Sequence, residues 1–88
     1  MKVIRFTASW CGPCRMYKPV FDEVQKEMAD SGAIFETIDV DNDTENLSEQ
    51  FKVRSIPTTV FLKGDEVELS VTGPMKKSDL KDAVAALL

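Results

Sequence analysis

Two cysteines, Cys11 and Cys14, carry the most reactive chemistry in this 88-residue sequence, and two residues separate them. The thiolate is the nucleophilic form of cysteine, and it attacks a disulfide to form a mixed disulfide. A second thiol one helical turn away can then displace the captured sulfur, and the pair becomes oxidised. The spacing therefore indicates dithiol–disulfide exchange, with Cys11 attacking and Cys14 resolving.

The remaining composition limits what else these cysteines can do. The sequence contains no histidine, which excludes Cys–His nucleophile pairs and zinc sites that use imidazole. Two cysteines cannot form the several bridges of a small secreted scaffold. Three alternatives to redox exchange remain. The cysteines would supply half of the ligands of a metal site, or they would be two buried and unreactive thiols. In the third alternative, the paired cysteines of two chains hold a metal ion or an iron–sulfur cluster between them. We expect redox chemistry, with no bound metal or cofactor.

Hydrophobic periodicity predicts the elements on either side of the cysteines. Residues 2–7 are rich in β-branched and aromatic side chains, which favours a strand. From Gly12 to about Asp30 the pattern is helical, with Met16, Val20, Val24 and Met28 recurring every fourth residue and Tyr17 and Phe21 widening the apolar stripe. Pro19 is expected to kink this helix. The cysteines thus lie at a strand-to-helix junction, where unpaired amides and the helix dipole stabilise an anion, and we expect the loop to leave Cys11 exposed.

The rest of the chain predicts a small α/β fold. A strand at 33–40 is followed by a short helix at 44–52, which Asp43 or Thr44 can cap. Strands at 58–62 and 66–72 form a hairpin, and the last helix covers 77–87. The predicted order is βαβαββα, a four-stranded mixed sheet with helices on both faces.

Size and charge exclude several classes of protein. The length suits one core, so we expect a single domain over 1–88. Eleven Lys and Arg against 15 Asp and Glu give a net charge of −4, which argues against nucleic acid or an anionic membrane as partner. The longest apolar stretch, 83–88, is far shorter than the roughly 20 residues of a membrane span, and Arg5 interrupts any N-terminal signal. We expect a cytoplasmic monomer.

The motif Trp10-Cys11-Gly12-Pro13-Cys14, followed by Arg15, resembles the active site of the thioredoxin family. Pro19 matches the kink in the thioredoxin active-site helix. Ile56-Pro57-Thr58 resembles the cis-proline segment of the family, and Gly73 matches the glycine beside it. The resemblance extends over nearly the whole chain from Val3 onward.

The resemblance implies a minimal thioredoxin-like fold without the usual N-terminal strand and helix, so that the strand containing Phe35 and Ile38 lies at a sheet edge. It also implies that a cis peptide beside Pro57 presents backbone groups to an extended substrate. The apolar substrate groove would be formed by Trp10, Gly12, Pro13, Ile56, Pro57 and Gly73.

The sequence departs from the thioredoxin pattern in the strand before the motif. Arg5 occupies the position of a buried aspartate that helps to deprotonate the second cysteine, and Thr37 replaces a lysine near it. A guanidinium cannot act as that base at neutral pH. Either Arg5 stabilises a thiolate or pairs with Asp39, or its head group reaches water and touches nothing catalytic. We expect resolution by Cys14 to rely on water or another carboxylate.

The leading functional hypothesis is a small thioredoxin-like reductase of protein disulfides. Electrons would come from a thioredoxin-reductase-like flavoprotein, because the chain has no nucleotide-binding glycine motif. The runner-up is a glutaredoxin-like reductase that uses glutathione, although Cys-Gly-Pro-Cys differs from the Cys-Pro-Tyr-Cys pattern typical of glutaredoxins. The third hypothesis is a non-catalytic docking module with the same fold, which would keep its function when both cysteines are replaced by serine.

Overall fold

A four-stranded mixed sheet forms the middle layer of the protein. The computed structural model describes residues 1–88, and the strands are β1 (Lys2–Thr7), β2 (Ile34–Asp39), β3 (Thr58–Lys63) and β4 (Glu66–Thr72). Their order across the sheet is β2-β1-β3-β4. β1 is parallel to β2 and antiparallel to β3, and β3 and β4 form the antiparallel hairpin. The predicted α/β class, element order and mixed sheet are confirmed, and β2 lies at an edge as expected.

The helices cover both faces of this sheet and are α1 (Gly12–Glu27), α2 (Leu47–Gln50) and α3 (Lys77–Leu87). The prediction for α1 extended about three residues too far, because a 3-10 turn at Ala29–Ser31 and Gly32 at φ 90° end it. α1 is one helix from Gly12 to Glu27 and continues through Pro19. None of these helices combines the length and apolar composition that a membrane span requires.

The second helix is much shorter than the predicted segment 44–52. α2 contains four residues because Asn46 on one side and Lys52 on the other have positive φ, 54° and 58°. These left-handed dihedrals are incompatible with a right-handed helix at either position. The sheet face on the α2 side therefore receives little helical cover.

The two faces of β1 belong to different cores. Val3 lies in a buried cluster with side chains of α1 and α3, whereas Ile4 and Phe6 lie in a cluster with β3 residues on the α2 side. This division follows from the two-residue period of a strand. β1 is thus held on both faces, and the loop that follows it starts from a buried strand.

Asp43 fixes the start of α2, as predicted. Its carboxylate accepts the backbone N–H groups of Leu47 at 2.9 Å and Ser48 at 2.7 Å. These bonds, that from Ser48 first, lower the pKa of Asp43 below its ordinary value. Their contribution to stability is therefore complete above the ordinary aspartate pKa and is lost as the pH falls through the lowered one.

We expect Asp43→Ala to lower Tm at neutral pH, and the difference from the unsubstituted protein to disappear in strong acid. Thermal unfolding followed by far-UV circular dichroism between neutrality and about pH 2 checks this. Thr44→Ala is the neighbouring control, since the Thr44 side chain makes no capping bond to α2. A Tm difference that grows on acidification contradicts the assignment.

Candidate active site

Cys11 is the N-cap residue of α1, at the junction where the sequence predicted it. Its backbone is extended (φ −91°, ψ 112°), and its amide donates to the Ala8 carbonyl at 3.2 Å. Pro13 lies in the first helical turn, where backbone N–H groups have no acceptor within the helix, so the N–H that proline lacks is not missed. A disulfide bond joins Cys11 to Cys14, whose Cα atoms are 5.2 Å apart. The two sulfurs are therefore within bonding reach across one turn.

Both cysteines are more buried than the sequence suggested. Cys14 is 1% exposed and Cys11 6%, so Cys11 is not exposed by its loop as predicted. The reason is a small apolar cluster in which the pair packs with Ala8 and touches Val40 and Ile56. Cys11 is still the more accessible of the two residues, in keeping with an attacking role.

The electrostatic environment of the Cys11 sulfur favours a negative charge. The backbone N–H of Cys14 donates to Cys11 Sγ at 3.2 Å. α1 is 16 residues long, and no acidic residue lies in its first turn to oppose the dipole. Arg15 donates from its guanidinium to the Ser9 carbonyl, at 2.9 Å for Nη2, and so ties the preceding loop to the helix. Once reduced, Cys11 is placed to exist as a thiolate.

Trp10 stands at the surface beside the cysteines, and it is not core filler. The side chain is 66% exposed, and Nε1 donates to Asp41 Oδ2 at 2.8 Å. A fixed, exposed aromatic ring beside a reactive sulfur offers a partner apolar area with little loss of entropy.

The segment around Pro57 lies against the same sulfur. The Ile56–Pro57 peptide bond is cis, as the family resemblance implied. The Ile56 carbonyl oxygen is 3.9 Å from Cys11 Sγ. Gly73, at φ 95°, donates its N–H to the Pro57 carbonyl at 2.7 Å. This hydrogen bond joins the start of β3 to the end of β4 next to the cysteines.

A cavity of about 400 Å³ adjoins this surface and contains Trp10, Val40 and Ile56 together with Arg54 in its lining. Gly12 and Pro13 are exposed at the start of α1. The structure thus brings the predicted residues of the substrate groove to one end of the sheet, but Pro57 is fully buried and adds no exposed surface to the groove.

Arg5 is placed differently from both predictions made for it. It is 4% exposed, so it does not reach water, and it donates to Thr37 Oγ1 from Nη2 at 3.3 Å rather than to Asp39. The Asp39 carboxylate instead accepts the Asp41 amide at 2.9 Å. In-register pairing explains the contact, because Arg5 lies opposite Thr37 on β2.

The Arg5 head group also lies far along α1 from the disulfide. Its Cζ is 5.4 Å from the centroid of Phe21, two helical turns or about 10 Å beyond Cys14. Burial lowers the pKa of Arg5, and the charge of Asp22 partly offsets this effect. Arg5 therefore supports the buried side of α1, and no contact joins it to either sulfur.

Asp41 is the residue near the site whose contact with Trp10 the sequence analysis missed. Its position held a usable signal, because β1 and β2 are parallel and their carboxyl ends meet at one edge of the sheet. Trp10 follows the end of β1 by three residues, and Asp41 follows the end of β2 by two. Residues just after two adjacent parallel strands are candidates for mutual contact.

We expect Asp41→Ala to release the Trp10 ring and to raise KM for a disulfide-containing protein about threefold, with kcat unchanged, since one exposed hydrogen bond is lost. Trp10 is the only tryptophan, so its fluorescence anisotropy reports the release directly. Asp30→Ala, at an exposed position in the 3-10 turn beyond the far end of α1, is the control. Unchanged anisotropy in Asp41→Ala contradicts a role in holding the ring.

Metal chemistry has little support in this arrangement. No group of three or more His, Cys, Asp or Glu side chains is placed to hold a metal ion. A site would need ligands from a second chain.

Comparison with known proteins identifies the family of this fold and motif. The thioredoxin family model matches residues 1–86. Thioredoxin H4 of Arabidopsis thaliana is 44% identical over 75 residues, and the chloroplastic M-type thioredoxin of Spinacia oleracea is 36% identical over 86. These alignments cover 85% and 98% of this chain but only 61% and 46% of the relatives, so the chain spans about half of their length.

Solved structures agree with the sequence relatives. The germline-specific thioredoxin Deadhead of Drosophila melanogaster superimposes with a TM-score of 0.86 at 36% identity, covering 99% of this chain and 80% of that one. The thioredoxin of Malassezia sympodialis gives a TM-score of 0.85 at 34% identity, with coverages of 97% and 72%. With its matching sequence, fold and paired cysteines, the chain belongs to the thioredoxin family.

Proposed function

We propose that this chain is a thiol–disulfide oxidoreductase that reduces protein disulfides through Cys11 and Cys14. The observation that carries the proposal is the position of Cys11 Sγ at the N-terminus of α1, 3.2 Å from the Cys14 amide and bonded to the Cys14 sulfur. A sulfur there is both stabilised as an anion and paired with its own resolving thiol.

The reaction starts from the dithiol form. The Cys11 thiolate attacks one sulfur of the substrate disulfide, the other leaves as a thiolate, and a mixed disulfide forms. Cys14 then loses its proton and attacks Cys11 Sγ, so that the second substrate sulfur leaves. Two electrons pass to the substrate, and the Cys11–Cys14 disulfide remains.

The proton of Cys14 goes to water or to a carboxylate that arrives with the substrate. No acidic residue lies in the first turn of α1, and Arg5 cannot accept a proton at neutral pH. We infer that resolution is slower than in thioredoxins with an aspartate at this position. Neither Thr37 nor Asp39 would act on the sulfurs directly. Thr37 holds the Arg5 guanidinium, and Asp39 holds the loop after β2 through the Asp41 amide.

The substrate is a polypeptide that lies across the exposed end of the sheet. Trp10 and Ile56 supply apolar surface beside the sulfur, and Gly12 and Pro13 leave the helix start uncrowded. Pro57 is fully buried, so together with Gly73 it would shape the backbone behind this surface. Sequences flanking the substrate disulfide would contact this surface in extended form.

A separate flavoprotein of the thioredoxin-reductase type would return the oxidised pair to the dithiol, since the chain contains no nucleotide-binding motif. The chain would work as a cytoplasmic monomer. Gel filtration measures the oligomeric state of the chain. Assays that compare a purified reductase with glutathione identify the electron donor.

Reduction of insulin by the purified chain, with dithiothreitol as electron source, tests the proposed activity. We expect a rate well above that of dithiothreitol alone, and a reduction potential in the reducing range of thioredoxins, about −270 mV. Turnover with glutathione alone would favour the glutaredoxin-like alternative. A rate equal to that of the Cys11→Ser, Cys14→Ser double variant would favour the docking module and refute the reductase.

A further inference from the structure

A second cavity, about twice as large as the one beside Trp10, opens on the α2 side of the sheet. Its volume is about 840 Å³, and we call it the α2 groove. Ile38, Leu62 and Val67 contribute to its floor, and Leu47 and Phe51 form a wall from the α2 segment. α2 is a single turn, so little helix covers the sheet around this cavity.

Exposed apolar side chains lie on this uncovered part of the sheet face. Val67, in the groove, is 44% exposed, and Ile34 is 56% exposed. Ile34 precedes Glu36 by two residues on β2, so it lies on the same face of the sheet as the groove. Ile34 thus adds apolar surface at the β2 edge, and the Lys2–Glu36 ion pair separates it from the floor of the groove.

The net charge of the whole protein is concentrated at this groove. Its lining contains a single basic residue, Lys2, and five acidic ones: Glu36, Asp39, Asp43, Glu45 and Asp65. The chain has 11 basic and 15 acidic residues, so ten of each remain elsewhere and balance. All four excess negative charges thus belong to the groove.

These carboxylates differ from the acids on the opposite face. There, Lys77 and Lys81 pair with Glu23 and Glu27 across α1 and α3. In the groove only Glu36 has a basic partner, Lys2 at 3.2 Å. Glu45 and Asp65 make no ion pair or hydrogen bond, so their charge is available to a partner.

The width of the groove suits a helix. Its lining draws on all four strands, which span three interstrand spacings, or about 14 Å. A helix with its side chains is about 10–12 Å across, whereas one added strand would cover only about 5 Å. Two copies that met groove to groove would bring like charges together, and a nucleic acid or an anionic membrane would also bring like charge to the site.

We propose that the α2 groove binds a cationic amphipathic helix of a partner protein. The apolar stripe of that helix packs on Ile38, Leu62 and Val67, and its Lys or Arg side chains face Glu45 and Asp65. The groove shares no lining residue with the Trp10 cavity. A bound helix therefore leaves the cysteines free, and this interaction does not depend on the proposed redox activity.

The test is an NMR titration of the isotopically labelled chain with a synthetic peptide of about 14 residues, with Leu along one helical face and Lys elsewhere. We expect amide shifts in β2, α2 and around Val67, and weaker binding at higher salt. Replacing every Lys of the peptide by Glu should abolish the shifts.

Paired charge reversals localise the effect. Glu45→Lys with Asp65→Lys should weaken binding about tenfold or more, whereas Asp30→Lys with Asp82→Lys, at exposed positions outside the groove, should change it less than about twofold. Insulin reduction by each variant reports that the fold is intact. Absent shifts, shifts confined to the Trp10 surface, equal weakening in both double variants, or self-association of the free chain would each overturn the proposal.

Discussion

Cys11→Ser is expected to lower kcat/KM for insulin reduction by about 1,000-fold or more, to the rate of the chemical reductant alone. Serine fits the N-cap position and can accept the Cys14 amide, so the fold and the helix start are retained. What disappears is the sulfur that attacks the substrate. Far-UV circular dichroism alongside the insulin assay separates the chemical loss from any structural one.

Cys14→Ser distinguishes the roles of the two cysteines. Because Cys11 still attacks while nothing resolves the product, the variant should accumulate as a mixed disulfide with its substrate. Mass spectrometry after acid quenching should place that bond on Cys11. If Cys11→Ser traps substrate and Cys14→Ser does not, the assignment of attacking and resolving residues is reversed.

The site was predictable largely because its determinants are local. A strand pattern, two cysteines at helical spacing and a proline in the first turn place Cys11 at the N-cap of α1, whatever the tertiary packing. The cis peptide beside Pro57 could come only from the family resemblance, since most X–Pro bonds are trans.

The helical patterns predicted the buried faces and the ends of the helices only in part. A repeat of four residues favoured Met16 as a core position, yet Met16 is 78% exposed and Tyr17 is 1% exposed. The buried face is Cys14, Tyr17, Phe21 and Val24, which follows the 3.6-residue period more closely. In α2, the left-handed dihedrals of Asn46 and Lys52 ended a pattern that looked helical for two turns.

The environment of Arg5 illustrates what tertiary structure alone decides. Its burial depends on the register of β1 against β2 and on the ring of Phe21 above it, neither of which the sequence reveals. In the α2 groove, four of the five carboxylates lie between residues 36 and 45, and strand pairing brings only Asp65, in the β3–β4 turn, to them from a distant part of the chain.

Phe21→Ala is expected to destabilise the fold by about 3–5 kcal/mol. Phe21 is fully buried and meets Tyr17 and Phe35 edge-on, with ring centroids 6.0 and 5.7 Å away. Its ring also covers the Arg5 guanidinium, which the truncation would leave facing a cavity. An 88-residue domain has a total stability of roughly 4–13 kcal/mol, so the loss is a large fraction. Urea unfolding followed by circular dichroism measures it.

Two matched variants show whether the loss of stability comes from the burial of Phe21. Phe21→Leu keeps most of the apolar volume and should cost less than about 1.5 kcal/mol, whereas Met16→Ala on the exposed side of α1 should stay within about 0.5 kcal/mol. Equal losses for Met16→Ala and Phe21→Ala would place the wrong face of α1 against the sheet. At temperatures where Phe21→Ala remains folded, insulin reduction should stay within about twofold of the unsubstituted rate, because Phe21 holds the helix onto β1 and takes no part at the sulfur. A much larger loss of activity in the folded variant would instead link the buried side of α1 to the chemistry of Cys11.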